Sequence, residues 1–227
     1  MGIPENLELI KGNIEKACRR SQRDPRQVRI LAVCKDQGPE RIRRVLDLGI
    51  RLLGENKSQE AEAHMRHFPG ETIEWHFIGR LQKNKINKIL NTFRLIESVD
   101  GVKSLEHIHK RVDQPVEVFI EVNIGEEKEK SGFTGEGLKK AIPYIASLSK
   151  VAVTGLMAVP PYFEDVEKVR PYFVQLRKLR DDINRMAIAN MKLAHLSMGM
   201  SHDYEAAVEE GATLVRIGTA LFGRRKP

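Results

Sequence analysis

Short apolar runs alternate with amphipathic stretches along the whole 227-residue chain. The apolar runs predict eight β-strands, and the stretches between them carry apolar residues at helical spacing. A further helix, over about residues 6–22, precedes the first strand and stops before Asp24-Pro25. The predicted strands cover residues 28–34, 51–54, 74–79, 93–98, 116–123, 151–157, 192–196 and 213–217. The clearest helices between them cover residues 39–48, 57–67, 82–90 and 165–187.

Strands that alternate with helices are typical of a parallel sheet with helical crossovers. Eight such units in a chain of this length favour a closed (β/α)8 TIM-type barrel, with one extra helix in front, over an open sheet. The chain has neither a low-complexity linker nor a short sequence repeat. We therefore expect residues 1–227 to form a single domain.

Lys35 directly follows the first predicted strand and precedes the loop residues Gly38-Pro39. Barrel enzymes carry their chemistry at the C-terminal ends of their strands. A lysine that is desolvated there would lose its proton more readily and could attack an aldehyde. On this segment alone, the alternative is a strand-end lysine that only reaches water.

The last two predicted strands are followed by small and hydroxyl-bearing residues. Ser197 to Ser201 and Gly218-Thr219 would present hydroxyls and backbone N–H groups, which suit a phosphate dianion. The loops after the last two strands are the usual phosphate site of a barrel. We expect this cradle and Lys35 to face each other, because a barrel closes its last strand against its first. An aldehyde and a phosphate on one small molecule describe pyridoxal 5′-phosphate (PLP).

The composition of the chain limits the binding partners and the cellular location that we expect for it. The chain has 38 Lys and Arg against 31 Asp and Glu, for a net charge of +7. The basic residues have acidic neighbours and no interleaved aromatics, so a nucleic-acid interface is not favoured. No apolar run approaches the roughly 20 residues of a membrane span, and the N-terminus lacks the order of a signal peptide. Two cysteines, Cys18 and Cys34, fit a reducing compartment, and we expect a cytoplasmic location.

The histidines do not predict a metal site. His64 and His67, and likewise His107 and His109, lack the carboxylate or cysteine partners that zinc requires at suitable spacing. His76 and His195 lie within predicted strands, where we expect core or pocket-lining roles.

Seven segments together resemble the PLP homeostasis proteins, single-domain relatives of the N-terminal barrel of alanine racemase (fold type III). The resemblance covers essentially the whole chain, and the last segment is long and specific. The segments are AVCK around Lys35, GENKSQEA at 54–61, WHFIGRLQKNK at 75–85, IESVD at 96–100, EVNIGEEKEKSGF at 121–133, GLMAVPP at 155–161 and LSMGMSHDYEAAVEEGATLVRIGTALFG at 196–223.

The resemblance implies a role for each matching residue. It implies a Schiff base between PLP and Lys35, a pocket wall that includes Asn56, and Arg216 facing the pyridine nitrogen. It implies that the phosphate is bound by Ser197, Ser201, Gly218 and Thr219.

Two departures from the family pattern lie beside the lysine. Cys34 replaces the usual Ser or Thr, and Asp36-Gln37-Gly38 differs from the usual loop, which puts the shape of the pocket in doubt. Cys34 alternates to the opposite side of the strand from Lys35, so we expect a packed thiol that is not a nucleophile.

Arg216 bears on activity once PLP is placed. A guanidinium does not accept a proton, so the ring nitrogen beside it would stay unprotonated, and the cofactor would be a weak electron sink. Racemisation would still need a second acid–base group, which alanine racemases take from a domain after the barrel, whereas this chain ends at Pro227. We therefore expect a PLP carrier or regulator of PLP supply without dedicated turnover.

Two alternatives stay open. They are a racemase-like enzyme with weak activity and a phosphate-binding barrel that does not use PLP. For the favoured function, the expected partners are PLP, free amino acids and PLP-dependent apo-enzymes, and the expected state is a monomer.

Overall fold

All eight predicted strands form, and each pairs in parallel with the next to give a closed barrel in chain order. The computed structural model describes residues 2–223. Pairing of Ile30 in the first strand with Val215 in the last closes the barrel, so the predicted (β/α)8 fold is confirmed. The strands are β1 (Arg29–Val33), β2 (Leu52–Glu55), β3 (Glu74–Phe77), β4 (Leu95–Val99), β5 (Val116–Glu121), β6 (Val151–Met157), β7 (Met191–Met200) and β8 (Leu214–Ile217).

Helices follow every strand and form the outer layer. They are α1 (Ile3–Arg20), α2 (Pro39–Asp47), α3 (Ser58–Met65), α4 (Ile86–Thr92), α5 (Val102–His109), α6 (Gly135–Ala146), α7 (Arg170–Arg185), α8 (Tyr204–Glu209) and α9 (Thr219–Phe222). The helix predicted over 165–187 divides into a short 3₁₀ helix, Val166–Lys168, and α7. Pro171 lies in the first turn of α7, where its missing N–H leaves no intrahelical bond unmade.

The predicted N-terminal helix is present as α1. Its buried residues follow helical spacing, from Ile3 through Leu7 and Ile10 to Ile14. The Glu5 carboxylate accepts a hydrogen bond from the Gly2 N–H at 2.7 Å and so caps the first turn. Polar contacts attach α1 to the last two helices, because Asn6 donates to the Leu221 carbonyl and Asn13 to the Tyr204 hydroxyl, each at 3.0 Å.

The apolar core has two layers. A small cluster fills the barrel interior, and a larger one lies between the sheet and the helices. Along β1, Leu31 belongs to the inner cluster, whereas Ala32 and Cys34 belong to the outer one. Because side chains alternate along a strand, Val33 packs with Leu31 on the inner side, and Lys35 follows two residues after Val33, beyond the end of β1. The buried residues of the inner cluster are Leu31, Leu52, Leu95, Phe119, Met157 and Leu214.

Strand β7 is longer than predicted. It was expected to end at residue 196, but it continues to Met200, with Ser197 opposite Met157 of β6 and Met200 opposite Arg216 of β8. Its pairing with β8 shifts register between Ser197 and Met200, and Gly199 in this irregular stretch has φ +90°. A Cβ on Gly199 would lie 2.5 Å from the Cβ of Ala207, which explains the need for glycine. Ser197 therefore lies within a strand and not in a loop.

Among residues 2–223, no helix combines the length and the apolar character needed to cross a membrane.

Candidate functional site

Most of the predicted site residues follow four neighbouring strands at the C-terminal mouth of the barrel. Ser201 follows β7, Gly218-Thr219 follow β8, Lys35 lies just beyond β1, and Asn56 follows β2. These strands are adjacent in the order β7, β8, β1, β2. Closure of the barrel, in which β1 pairs with β8, thus brings the lysine beside the predicted phosphate cradle.

Lys35 lies in a tight turn in which the Gln37 N–H donates to the Cys34 carbonyl at 3.0 Å. Asp36, at φ +59°, occupies the left-handed position of this turn, which short polar side chains tolerate. The Lys35 side chain is exposed. The burial that we expected for this lysine is therefore absent from the structure. The neighbouring Cys34 is fully buried, and desolvation raises the pKa of its thiol, as expected of a packed residue.

The loops after β7 and β8 are joined by a hydrogen bond. The Ala220 N–H donates to Ser201 Oγ at 3.0 Å. Gly218 packs beside β1, since a Cβ on it would lie 3.6 Å from the Cβ of Val33. The N–H group of Thr219, at the start of the short helix that follows, has no intrahelical carbonyl to bind. This side of the mouth thus offers a hydroxyl and backbone N–H groups close to the lysine-bearing strand.

Asn56 carries a polar atom without a partner. Its side-chain Oδ1 is buried and makes no hydrogen bond within residues 2–223. The loop after β3 packs tightly against its backbone, because a Cβ on Gly79 would come within 2.1 Å of the Asn56 carbonyl oxygen. A buried acceptor held in this way is available to a ligand.

Arg216 projects from β8 into the barrel interior and is only 5% exposed. Its Nη1 donates to Ser197 Oγ at 2.7 Å, and its Nη2 donates to the Ala158 carbonyl at 2.8 Å. The Ser197 hydroxyl in turn donates to Glu97 Oε2 at 2.5 Å. Burial lowers the pKa of Arg216, while the carboxylates of Glu97, Asp203 and Glu121 favour its charged form.

These contacts separate Ser197 from the other predicted phosphate ligands. Its side chain is fully buried, and its hydroxyl already donates to Glu97 and accepts from Arg216. The extension of β7 places it beneath the mouth, whereas Ser201 lies at the end of that strand.

The interior hydrogen bonds continue from Glu97 towards the other end of the barrel. His76 Nδ1 lies 2.5 Å from Glu97 Oε1, and its Nε2 lies 3.0 Å from Glu74 Oε1. Arg29 then pairs with Glu74 at 2.5 Å. Burial opposes protonation of His76, but the hydrogen bonds to both carboxylates raise its pKa overall, and the same contact lowers the pKa of Glu74 to about 2.

Sequence reasoning missed the role of Glu97 and Glu74. The available signal was a charged residue at an inward-facing position of each strand, since Leu95 and Glu97 are two residues apart on β4 and Leu95 packs inside. The chain of hydrogen bonds ends beside a cavity of about 320 Å³ at the N-terminal end of the barrel, lined in part by Arg29, Glu74 and His195. The predicted cofactor residues lie elsewhere, at the mouth or just beneath it.

Within the described residues, 2–223, no group of three or more His, Cys, Asp or Glu side chains is arranged to hold a metal ion.

Comparison with known proteins agrees with this geometry. Residues 6–226 match the family described as alanine racemase, N-terminal domain. A pyridoxal phosphate homeostasis protein of Aquifex aeolicus is 44% identical, and the match covers 100% of both chains. PipY of Synechococcus elongatus, solved with PLP bound, is 30% identical with a TM-score of 0.83, over 97% of this chain and 100% of PipY. A protein from Bifidobacterium adolescentis is 34% identical with a TM-score of 0.89, over 97% and 94% of the two chains.

The fold is thus that of a barrel related to the N-terminal domain of alanine racemase. Within that class, the chain belongs to the family of the pyridoxal phosphate homeostasis proteins.

The interior chain of hydrogen bonds predicts that Glu97→Gln destabilises the fold. The substitution replaces the carboxyl group that contacts both the Ser197 hydroxyl and His76, and hydrogen bonds to charged groups contribute about 1.5–3 kcal/mol. Urea unfolding followed by fluorescence of Trp75, the single tryptophan, measures the free energy of unfolding. Glu117→Gln is the matched control, because that carboxylate is exposed and we expect a change within about 0.5 kcal/mol. Equal losses in the two variants would show that the interior contacts contribute nothing specific.

Proposed function

We propose that this chain binds PLP at the barrel mouth and acts in intracellular PLP homeostasis, as a carrier or a regulator of PLP supply. The observation that carries the proposal is the convergence of Lys35, Ser201 and Gly218 on three adjacent strands, above the inward-pointing Arg216. Family membership and the PLP bound to PipY support it.

The residues present fit the chemical parts of PLP. The Ser201 hydroxyl and the N–H groups at Gly218-Thr219 suit the phosphate. The unpartnered Asn56 Oδ1 is an acceptor for a polar ring substituent. Arg216, held by Ser197 and Ala158, is a donor for the ring nitrogen. We propose that Ser197 acts indirectly, because its hydroxyl orients Arg216.

Lys35 is the amine that we assign to the cofactor. When bound, PLP supplies an aldehyde carbon that forms a C=N bond with a primary amine, with loss of water. The exposed turn leaves Lys35 open to PLP and to competing amines from solution. Such access suits a protein that takes up a cofactor and gives it away.

The same exposure supports the proposed partners. A free amino acid, or a lysine of a PLP-dependent apo-enzyme, could reach the cofactor at the mouth and exchange with Lys35. We further propose that the chain works as a cytoplasmic monomer, with residues 1–227 as one domain. Its two cysteines are free and buried, in agreement with a reducing compartment.

Lys35→Ala should abolish covalent attachment of PLP while leaving the fold intact, because an exposed side chain contributes little to stability. The measurement is borohydride reduction of the PLP-loaded protein followed by peptide mapping of the pyridoxyl group. Lys57→Ala, which removes an exposed lysine close to Asn56, serves as the control and should leave the label on Lys35. A label found only on another lysine would overturn the assignment.

The proposed phosphate site should be tested at both segments that form it, the residue after β7 and the residues after β8. Ser201→Ala removes one hydrogen bond to a charged group, worth about 1.5–3 kcal/mol or roughly ten- to a hundred-fold in PLP affinity. Gly218→Val should weaken PLP more, because its side chain would cover the backbone N–H groups. Gly101→Val is a matched control in the loop after β4, where a Cβ meets nothing within 4 Å. The affinity for pyridoxal, which lacks the phosphate, should change little. Equal losses of affinity for PLP and pyridoxal would show that the phosphate does not bind on this side of the mouth.

We expect little or no racemase or transaminase turnover from the loaded protein. Arg216 donates hydrogen bonds and, unlike a carboxylate, would not stabilise a protonated ring nitrogen, so removal of an α-proton is poorly supported. Incubation with L-alanine in D₂O, followed by analysis of chirality and of deuterium at the α-carbon, measures this. Turnover at the roughly 1–10³ s⁻¹ typical of dedicated enzymes would make the protein a racemase instead.

A further inference from the structure

A buried histidine supports the turn that carries Lys35. His64, on α3, places its Nε2 3.0 Å from the Gln37 carbonyl oxygen and its Nδ1 3.0 Å from Glu55 Oε1 at the end of β2. Its ring packs against Trp75 of β3 in a stacked arrangement, with centroids 6.3 Å apart. The imidazole therefore connects β2 to the turn formed by residues 34–37, which we call the lysine turn.

Both contacts of His64 require a proton. A carbonyl oxygen only accepts, so Nε2 must carry hydrogen and donate to Gln37. The contact between Nδ1 and Glu55 then needs a second hydrogen, on either the imidazole or the carboxyl group. Whichever group holds it, the Glu55–His64 pair has one proton more than a neutral histidine beside a carboxylate. Loss of that proton leaves only one of the two hydrogen bonds.

The surroundings favour retention of the proton. Glu55 is fully buried, and its Oε2 makes no hydrogen bond within residues 2–223. Burial raises the pKa of Glu55, and the hydrogen bond to Glu55 raises the pKa of His64 against the opposing effect of burial. Both shifts act in the same direction.

The other charged or titratable groups near the pair come from two elements, α3 and the lysine turn. Glu60 belongs to the helix of His64 and favours its protonated form, while Lys57 pairs with Glu60. The lysine turn contributes Lys35, Asp36 and the buried Cys34 thiol. The charge of Glu55 adds to the effect of burial in raising the pKa of that thiol. β3 presents only the uncharged ring of Trp75 to the imidazole.

We propose that Glu55 and His64 are positioning residues that hold the lysine turn in place through one shared proton, so that attachment of PLP to Lys35 weakens on the alkaline side. This inference rests on the proposed function, because it concerns how that site presents its lysine. A histidine with a raised pKa contributes stability that is fully present below its ordinary value of about 6.5. That contribution is lost as the pH rises through the raised pKa.

The first test uses the protein without PLP. Amide exchange of residues 34–38 is measured by mass spectrometry over a range of pH, and each rate is divided by the intrinsic exchange rate at that pH. NMR follows the titration of His64 over the same range. Protection of the turn should fall by about two- to tenfold as the pair loses its proton, the worth of one hydrogen bond.

Three variants sharpen this test. Glu55→Gln should keep the turn protected at every pH, because the side-chain amide that it introduces can donate to Nδ1 without a shared proton. His64→Leu should expose the turn at every pH. His67→Gln, which changes an exposed histidine on the same stretch of chain, should behave like the parent protein. A parent protein and Glu55→Gln variant with the same pH profile would overturn the inference, whatever the protein binds.

The second test adds PLP. Because the amine and the cofactor themselves titrate, the informative quantity is the ratio of PLP affinities of the parent protein and Glu55→Gln at each pH. That ratio should fall by the same two- to tenfold factor over the same pH range. A constant ratio would overturn the link between the pair and PLP attachment. Absence of any label on Lys35 alongside the expected exchange profile would instead overturn the proposed function and leave the pair's support of the turn established.

Discussion

A guanidinium buried inside a barrel must be satisfied by groups from several strands at once, and Arg216 is such a group. Arg216 donates hydrogen bonds to Ser197 on β7 and to the Ala158 carbonyl just after β6. The Ser197 hydroxyl in turn donates to Glu97 on β4. An unpaired charge at this depth would cost several kcal/mol. The register of these strands is therefore coupled to the orientation of the side chain that we assign to the ring nitrogen of the cofactor.

The mouth depends on closure of the barrel. The first and last strands lie about 180 residues apart in sequence, yet Ala32 pairs with Ile217, which brings the lysine turn beside Gly218. Helix α1 supports the same region from outside, since Asn6 bonds to the Leu221 carbonyl in α9. The extra N-terminal helix thus stabilises the loop that we assign to the phosphate.

The side chain of Lys35 is exposed, but the turn that carries it is held by a buried residue. Lys35 itself reaches solvent, while the carbonyl of Gln37 is bound from below by His64, which is only 9% exposed. An amine that is fully buried would retain the cofactor, and one on an unsupported loop would present it poorly. A supported and accessible turn suits a protein whose cofactor arrives and leaves.

The amino-acid sequence alone determined the barrel, because alternation of strand and helix patterns is a local property that this chain displays throughout. It also located Lys35 and the residues after β8, since these follow strands directly. It did not determine that β7 continues to Met200, because Gly199 in Ser-Met-Gly-Met resembles a strand terminator. That a glycine is needed within the strand follows from its φ of +90° and from Ala207 in α8, which a Cβ at this position would meet at 2.5 Å. It did not pair Glu97 with Ser197 or Glu55 with His64, because hydrogen bonds between residues on different strands and helices follow from barrel closure and register, which only the tertiary structure decides.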